Sequence, residues 1–340
     1  MRHVKNLLFL ASVVMMMLFS GCSSKKYFEP QKSFSASEAS SAYSGNIVDL
    51  SRDGGTLSNG SYLGKGGIKT VPLGKGYRFL NENSQYLLAA NAEGVLKVID
   101  KKSKKTVRKI SLHVPVVSAT MHHGMIAYIL NNNAFGVYVM KGNRKIVESR
   151  SEITYAIDTR AASPMFIDNL VVMPMLDGKL IIVDIHNTQN AKVVYLSSQK
   201  AFNNIIYLSR IGNTMVAATP KMLATLGSAG QFEYRANISE VVATKNRIYL
   251  FTKEGKVVAL TPTLKHVGEA KFKFAHFAVA AALGGKVYAL DQHGSLIVLS
   301  ADLKKYKVYD VGAVEEAAFI AGDKLYKDGK VIHLSTLGYE

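Results

Sequence analysis

The chain has one cysteine, no tryptophan and no apolar run long enough to cross a bilayer. One cysteine cannot pair within the chain, so export would permit disulfides that this sequence cannot form. The folded part must be held by its core, and at about 300 residues it is large enough to bury most of its surface. The longest apolar run, Leu7 to Phe19, falls short of the roughly 20 residues a spanning helix needs. Acid is scarce as well, with 25 Asp+Glu against 42 Lys+Arg. The acidic residues are too dispersed to nominate a general acid and base. Patterns of the H-E-x-x-H, G-x-S-x-G and EF-hand types are absent.

What is present at the N-terminus has a clear order. Arg2 and Lys5 precede the apolar run "LLFLASVVMMMLF", and small residues follow, in "LFSGCSSKK" from Leu18 to Lys26. These are the flanks and length of a secretory signal. Ser20, Gly21 and Cys22 resemble the lipobox of bacterial lipoproteins, with Phe19 standing where an aliphatic residue is usual. The resemblance implies cleavage between Gly21 and Cys22, lipid attachment to the Cys22 thiol and acylation of the new amino terminus. Several acyl chains anchor stably where one does not. Ser23, in place of Asp, implies residence in the outer membrane, facing the periplasm. The alternatives are an ordinary secretory signal or an N-terminal anchor helix, with a free cysteine. Residues 1–21 are thus expected to be a signal peptide and 22–44 a flexible tether, since "SSKKYFEPQKSFSASEASSAYSGN" is rich in Ser and Ala and has few aliphatics. Residues 45–340 are expected to form one domain.

Without Arg2 and Lys5, 40 basic residues face 25 acidic ones, a net charge of +15. Such a surface attracts anions. Export argues against nucleic acid as a partner, and the lysines are spread over "DKKSKK", "KGNRK" and "ADLKKYK". A solvated basic surface is the plain reading; a specific anionic partner in the envelope is the other.

From about Gly45, short β-branched and aromatic runs are punctuated by Gly, Asn and Asp, the pattern of many strands. They repeat. "EGVLKVIDKKSKKTVRKISL" from Glu93, "DGKLIIVDIHNTQNAKVVYL" from Asp177, "EGKVVALTPTLKHVGEAKF" from Glu254 and "HGSLIVLSADLKKYKVYDV" from His293 align, with partial copies from Phe135 and Asp328. The glycines at 94, 136, 178, 255, 294 and 329 are spaced by 42, 42, 77, 39 and 35 residues. The doubled step predicts a hidden unit over Thr214 to Ile238. An earlier turn repeats at 81–83, 123–124, 168–169, 212–213, 245–246, 284–285 and 322–323, where Gly, Asn and Asp supply hairpin turns. Seven units of four strands predict an all-β, seven-bladed β-propeller, with eight blades as the alternative. The last unit ends after three strands. A spare strand, Gly45 to Leu50, is predicted to pair with Lys330 to Leu334 and close the ring. An open solenoid of strands is the other possibility.

The blocks Gly94/Leu96/Asp100 and Gly178/Leu180/Asp184, with Gly255/Val257 and Gly294/Leu296, resemble the pyrroloquinoline-quinone-type propeller repeat. Among lipidated members, the organisation is similar to the propeller lipoprotein of the outer-membrane β-barrel assembly machinery. The likeness covers about residues 80–335. It departs from the family at Thr261 and Ser300, which replace the Asp, in the absence of Trp, and in the count of seven against eight. The resemblance implies an envelope protein complex as partner.

No chemistry rises beside this. Quinone-dependent members typically need a vicinal cysteine pair, so no cofactor is expected. Ser197-x-x-Lys200 matches a nucleophile pair by chance, His122–His123 lacks further ligands at metal spacing, and the two "LGKG" copies lack a following helix. No catalytic or metal residue is nominated, and His123 is read as a turn residue. Met121, Met125, Phe202, Tyr207 and Met222 are possible contacts, though core packing is their plainer use. Two classes of function follow: a tethered protein-binding scaffold, as in outer-membrane protein assembly, or a propeller enzyme such as a lactonase or glycan-acting hydrolase. For the anchor, metabolic labelling with a palmitate analogue is expected to mark the wild type and to vanish in Cys22→Ala.

Overall fold

The computed structural model describes residues 26–36, 39–154, 157–197 and 201–340. Among the described residues, eight antiparallel sheets follow one another along the chain, seven with four consecutive strands at 47–69, 77–111, 116–150, 165–195, 207–235, 238–271 and 277–310, and the last with three at 318–333 and its fourth from the N-terminal segment. Within each, strands run A to D from the channel outward. The propeller is therefore eight-bladed, and the count of seven is corrected.

Blade packing explains the strand sequences. The central strands of a blade are covered on both faces by neighbouring blades, so they read as continuous apolar runs rather than alternating ones. Ile248–Thr252 and Leu296–Leu299 are buried throughout. Outer strands have one open side and alternate, as in Gly230–Arg235. The core is accordingly a series of seams between blades. One seam joins Leu88, Leu96 and Val98 to Ile126 and Tyr128, and another joins Phe251 and Val257 to Val287 and Leu299.

The repeated glycine has two causes. At Gly255 and Gly294, φ is +74° and +94°. A Cβ there would stand 2.0 Å from Phe272 O or 2.2 Å from Gly312 C, in the loop leading to the next blade. This B–C turn thus needs both left-handed backbone and close approach. Gly136 is not its counterpart in blade 3. It lies inside the C strand, and Asn133, with φ +60°, holds the turn. The hidden unit is blade 5, whose B–C turn passes through Thr219 and Pro220 without glycine. His123 does hold an A–B turn, with φ +45° beside Gly124 at +74°.

The missed blade is the first. Its strands, Ile47–Ser51, Gly54–Leu57, Tyr62–Gly64 and Gly67–Lys69, have three to five residues and little apolar length. Gly54 looks like a breaker but is a packing residue, since a Cβ would meet Leu63 O at 2.1 Å and the Phe79 ring at 2.6 Å. Gly45 to Leu50 therefore supplies blade 1 with its inner strand and does not close the ring. Closure falls to Ser40–Ala42, which pairs antiparallel with Lys330–Ile332 as the outer strand of blade 8. The latch exists, shifted towards the N-terminus. "SSA" is exposed along its length and gives no hydrophobic signal; backbone pairing and the Tyr43–Tyr326 contact at 5.6 Å hold it.

Further back in the stretch expected as a tether, Phe34–Ser35 adds a short parallel strand to the outer edge of blade 7. Tyr27 stacks on His293 at 5.0 Å and Phe28 meets Phe272 edge-on at 5.7 Å. Residues 26–36 and 39–43 thus strap the rim from blade 6 to blade 8. Removing residues 26–43 is expected to lower the urea midpoint and promote aggregation, because it bares the edge of blade 8. Removing 26–33 alone is expected to cost less. Tyr43→Ala, which leaves the strand but not its aromatic contact, is expected to cost about 2 kcal/mol, measured by equilibrium unfolding.

Candidate functional site

The channel through the disc holds an open cavity of about 840 Å³ and a second chamber of about 470 Å³. The wider part is walled by inner strands of blades 1, 6, 7 and 8, where Ala278, Ala280 and Ala281 keep the bore open. The narrower chamber carries Met121, His122, Phe166 and Leu208. His122 lies 5.5 Å from the Phe166 ring, and burial, then the neighbouring His123, lowers its pKa from the ordinary value.

Between the chambers runs an ionic brace that no sequence motif announced. The inner strand of blade 4, Met165–Ile167, is only three residues long. The preceding segment, 157–164, leaves its own blade and leans on blade 5. Asn204 is fully buried and clamps it, donating to Asp158 O at 3.0 Å while its Oδ1 accepts from the Asp158 N–H at 2.7 Å. Ala162 N–H donates to Ile205 O at 2.9 Å. The segment carries Arg160 into the channel, where Nε donates to Asp158 Oδ1 at 2.7 Å and Nη1 stands 3.7 Å from Glu240 of blade 6. Arg52, in the A–B turn of blade 1, donates to both Glu240 oxygens, at 3.1 and 2.9 Å. Blades 1, 4 and 6 are thereby tied across the bore. Beside them Asp53 accepts from Asn81 at 3.0 Å and Ser163 at 2.6 Å and pairs with Lys65 at 2.7 Å. Glu82 takes Tyr62 Oη at 2.8 Å and Lys101 at 2.6 Å.

These carboxylates are saturated by cations and donors, an arrangement suited to holding strands together. The described residues contain no group of three or more His, Cys, Asp or Glu placed to hold a metal ion. Of the residues named from sequence, Gly21, Cys22 and Lys200 lie outside the described residues. Ser197 lies in the loop after blade 4. Met121 and Met222 are buried packing residues. Tyr207 lies under Arg52, with the guanidinium 5.8 Å from its ring, and its Oη accepts from Ala243 N–H at 3.0 Å. Phe202 is 58% exposed.

Ile153, Val193 and Tyr195 are also exposed. Ile153 follows Glu152 and Phe202 precedes Asn203 in the chain, and Glu152, Asn203 and Tyr195 engage a polar centre at Asp177 and Lys179 in the B–C turn of blade 4. Lys179 pairs with Glu152 at 2.7 Å and Asp177 at 3.1 Å, and its ammonium lies 5.4 Å from the Tyr195 ring. Asp177 also accepts from Ser151 Oγ at 2.6 Å, and Asn203, next to Phe202, donates to Asp177 O at 3.0 Å. Apolar side chains around a fixed centre, with a polar rim, are the make-up of a protein-docking surface.

The brace has a pH signature. Burial opposes ionisation of Asp158, yet the hydrogen bonds and charge of Arg160 outweigh it, and the carboxyl is held below its ordinary value. A carboxyl depressed in the folded state adds stability that is full above the unfolded pKa, about 4, and is lost as pH falls through the depressed value. Asp158→Asn is therefore expected to destabilise the protein at pH 7 by about 1–3 kcal/mol and to make less difference at pH 2–3, as read from unfolding curves at each pH.

No protein-family model matches the chain. Two curated relatives, both named plasminogen-binding protein PgbB and from Helicobacter pylori strains J99 and 26695, are 27% and 26% identical. The alignments cover 94% of this chain and 68% and 67% of those proteins. Among solved structures, BamB from Moraxella catarrhalis superposes with a TM-score of 0.67 at 14% identity, over 86% of this chain and 97% of that one. The C-terminal WD40 domain of Sif2 gives 0.63 at 10% identity, over 86% and 98%. At such identities the likeness is one of fold, and the chain has a BamB-like β-propeller fold.

Proposed function

We propose that this chain is a protein-binding propeller held to the outer membrane by lipid on Cys22, and that its partner is plasminogen or a protein presenting the same kind of surface. The observation that carries the reading is the likeness to proteins named for plasminogen binding, which runs through 94% of the chain. The docking patch around Tyr195 and Phe202 and the excess of 42 basic over 25 acidic residues supply apolar anchors and a long-range attraction. Lipobox residues Gly21 and Cys22 support the anchor. A role in outer-membrane protein assembly is the second reading. It is favoured by the BamB-like fold and by the same anchor, with the propeller on the periplasmic side. An enzyme in the channel has less support, because Glu240, Asp53 and Glu82 are each engaged by a cation.

Purified chain beginning at residue 23, immobilised on a biosensor, is expected to capture plasminogen. Capture is expected to weaken severalfold between 0.1 and 1 M salt, as the screening length falls from about 10 to about 3 Å. Tyr195→Ala with Phe202→Ala is expected to weaken it roughly tenfold or more with the melting temperature unchanged, both side chains being exposed. Failure to bind plasminogen, together with crosslinking to outer-membrane assembly proteins in cells, would transfer the conclusion to the second reading.

A further inference from the structure

The N-terminal strap starts beside an outward-facing aromatic ring flanked by two lysines. Lys26 is four residues beyond Cys22, a reach of at most about 14 Å even when fully extended. From Lys26 the chain is already docked, through Tyr27 on His293 and Phe28 on Phe272. A lipid on Cys22 therefore cannot leave the disc free to tumble. It brings one sector to the bilayer: the rim of blades 6 and 7, on the face of the B–C turns and D–A loops.

At that sector the loop 272–276 presents Phe274, which is 36% exposed. Lys273 Nζ lies 5.0 Å from its ring centroid and Lys26 Nζ 5.8 Å. The backbone of Phe274 is left-handed, with φ +67°. For a bulky aromatic residue that conformation is strained. It is fixed by the Ala275 N–H to Phe272 O hydrogen bond of 3.0 Å and by full burial of Ala275. A strained loop that turns an aromatic ring outwards between two lysines is the composition of an interfacial anchor: the ring suits the headgroup region, and each lysine contributes to attraction by anionic lipid.

We propose that Phe274, Lys26 and Lys273 form a membrane-contact site for the anionic lipid surface in which the Cys22 acyl chains are embedded, fixing the propeller with its B–C and D–A face towards the bilayer. This rests on the anchor reading of Cys22. It also turns the Tyr195–Phe202 patch, which lies on the same face, towards partners held in or at the membrane.

The test uses the full chain, expressed with its signal and reconstituted in phosphatidylethanolamine vesicles containing about a third phosphatidylglycerol. Phe274→Cys carries a polarity-sensitive fluorophore, and Lys141→Cys, in the C–D turn of blade 3 on the opposite face, is the control. Thiol titration reads the anchor separately, since an acylated Cys22 leaves one reactive thiol and a free Cys22 leaves two. The expected result is one thiol, with quenching by lipid-borne nitroxide at position 274 and none at 141. Exchanging both lysines for glutamine, in a Cys22→Ser chain carrying the 274 probe, is expected to weaken vesicle association roughly thirtyfold at low salt. One thiol with no quenching at 274, or with equal quenching at both positions, overturns the contact site while the anchor stands. Two thiols overturn the anchor. The 274 probe in the Cys22→Ser chain then decides the contact site alone, quenching supporting it and no quenching overturning it.

Discussion

The pairing of Ser40–Ala42 with Lys330–Ile332 is the constraint on which the ring depends. A blade cannot bury its own faces; each seam is shared with a neighbour. Without the latch, blade 8 is a three-stranded sheet with an open edge and the first and last blades are joined only side by side. The latch joins residues about 290 positions apart in sequence. Because loop-closure entropy grows only logarithmically, that separation adds little more than a loop of half the size would. Three exposed residues and one aromatic contact can therefore hold the seam, provided the blades on either side already pack. Tyr326, which receives Tyr43, is itself part of the seam between blades 8 and 1.

The channel brace acts on the same problem from inside. Arg52, Arg160 and Glu240 come from blades 1, 4 and 6, so their attraction crosses the ring where packed seams cannot. Buried ion pairs return little net stability, but removing one partner leaves an uncompensated charge. The arrangement therefore favours one relative placement of the three blades over others, and it does so in the space where a propeller enzyme would keep its chemistry.

Most of the fold was legible because its rules are local. Alternation in outer strands, apolar runs in central ones and a glycine set by both φ and close approach recur often enough to count. The spacing even revealed blade 5, whose turn uses Pro220. Blade 1 escaped because its strands are too short to show a period and glycines such as Gly54 and Gly64 are packing residues that look like breakers. The latch escaped because an outermost strand needs no apolar residue. The sites were less legible. Arg160 reaches Glu240 only because Asn204 pulls a segment off its blade, and Tyr195 and Asn203 come to Lys179 and Asp177 only after folding. No spacing in the chain encodes either event.

The strap also sets how the molecule meets force. A pull applied to the N-terminus reaches the rim contacts in sequence. Tyr27 and Phe28 peel first, then the two-residue parallel strand at Phe34–Ser35, and only afterwards does load fall on Ser40–Ala42. The early contacts are small and can re-form, so they absorb extension before the closing strand is strained. The strap is thus a mechanical fuse in series with the latch, and the disc itself carries load last.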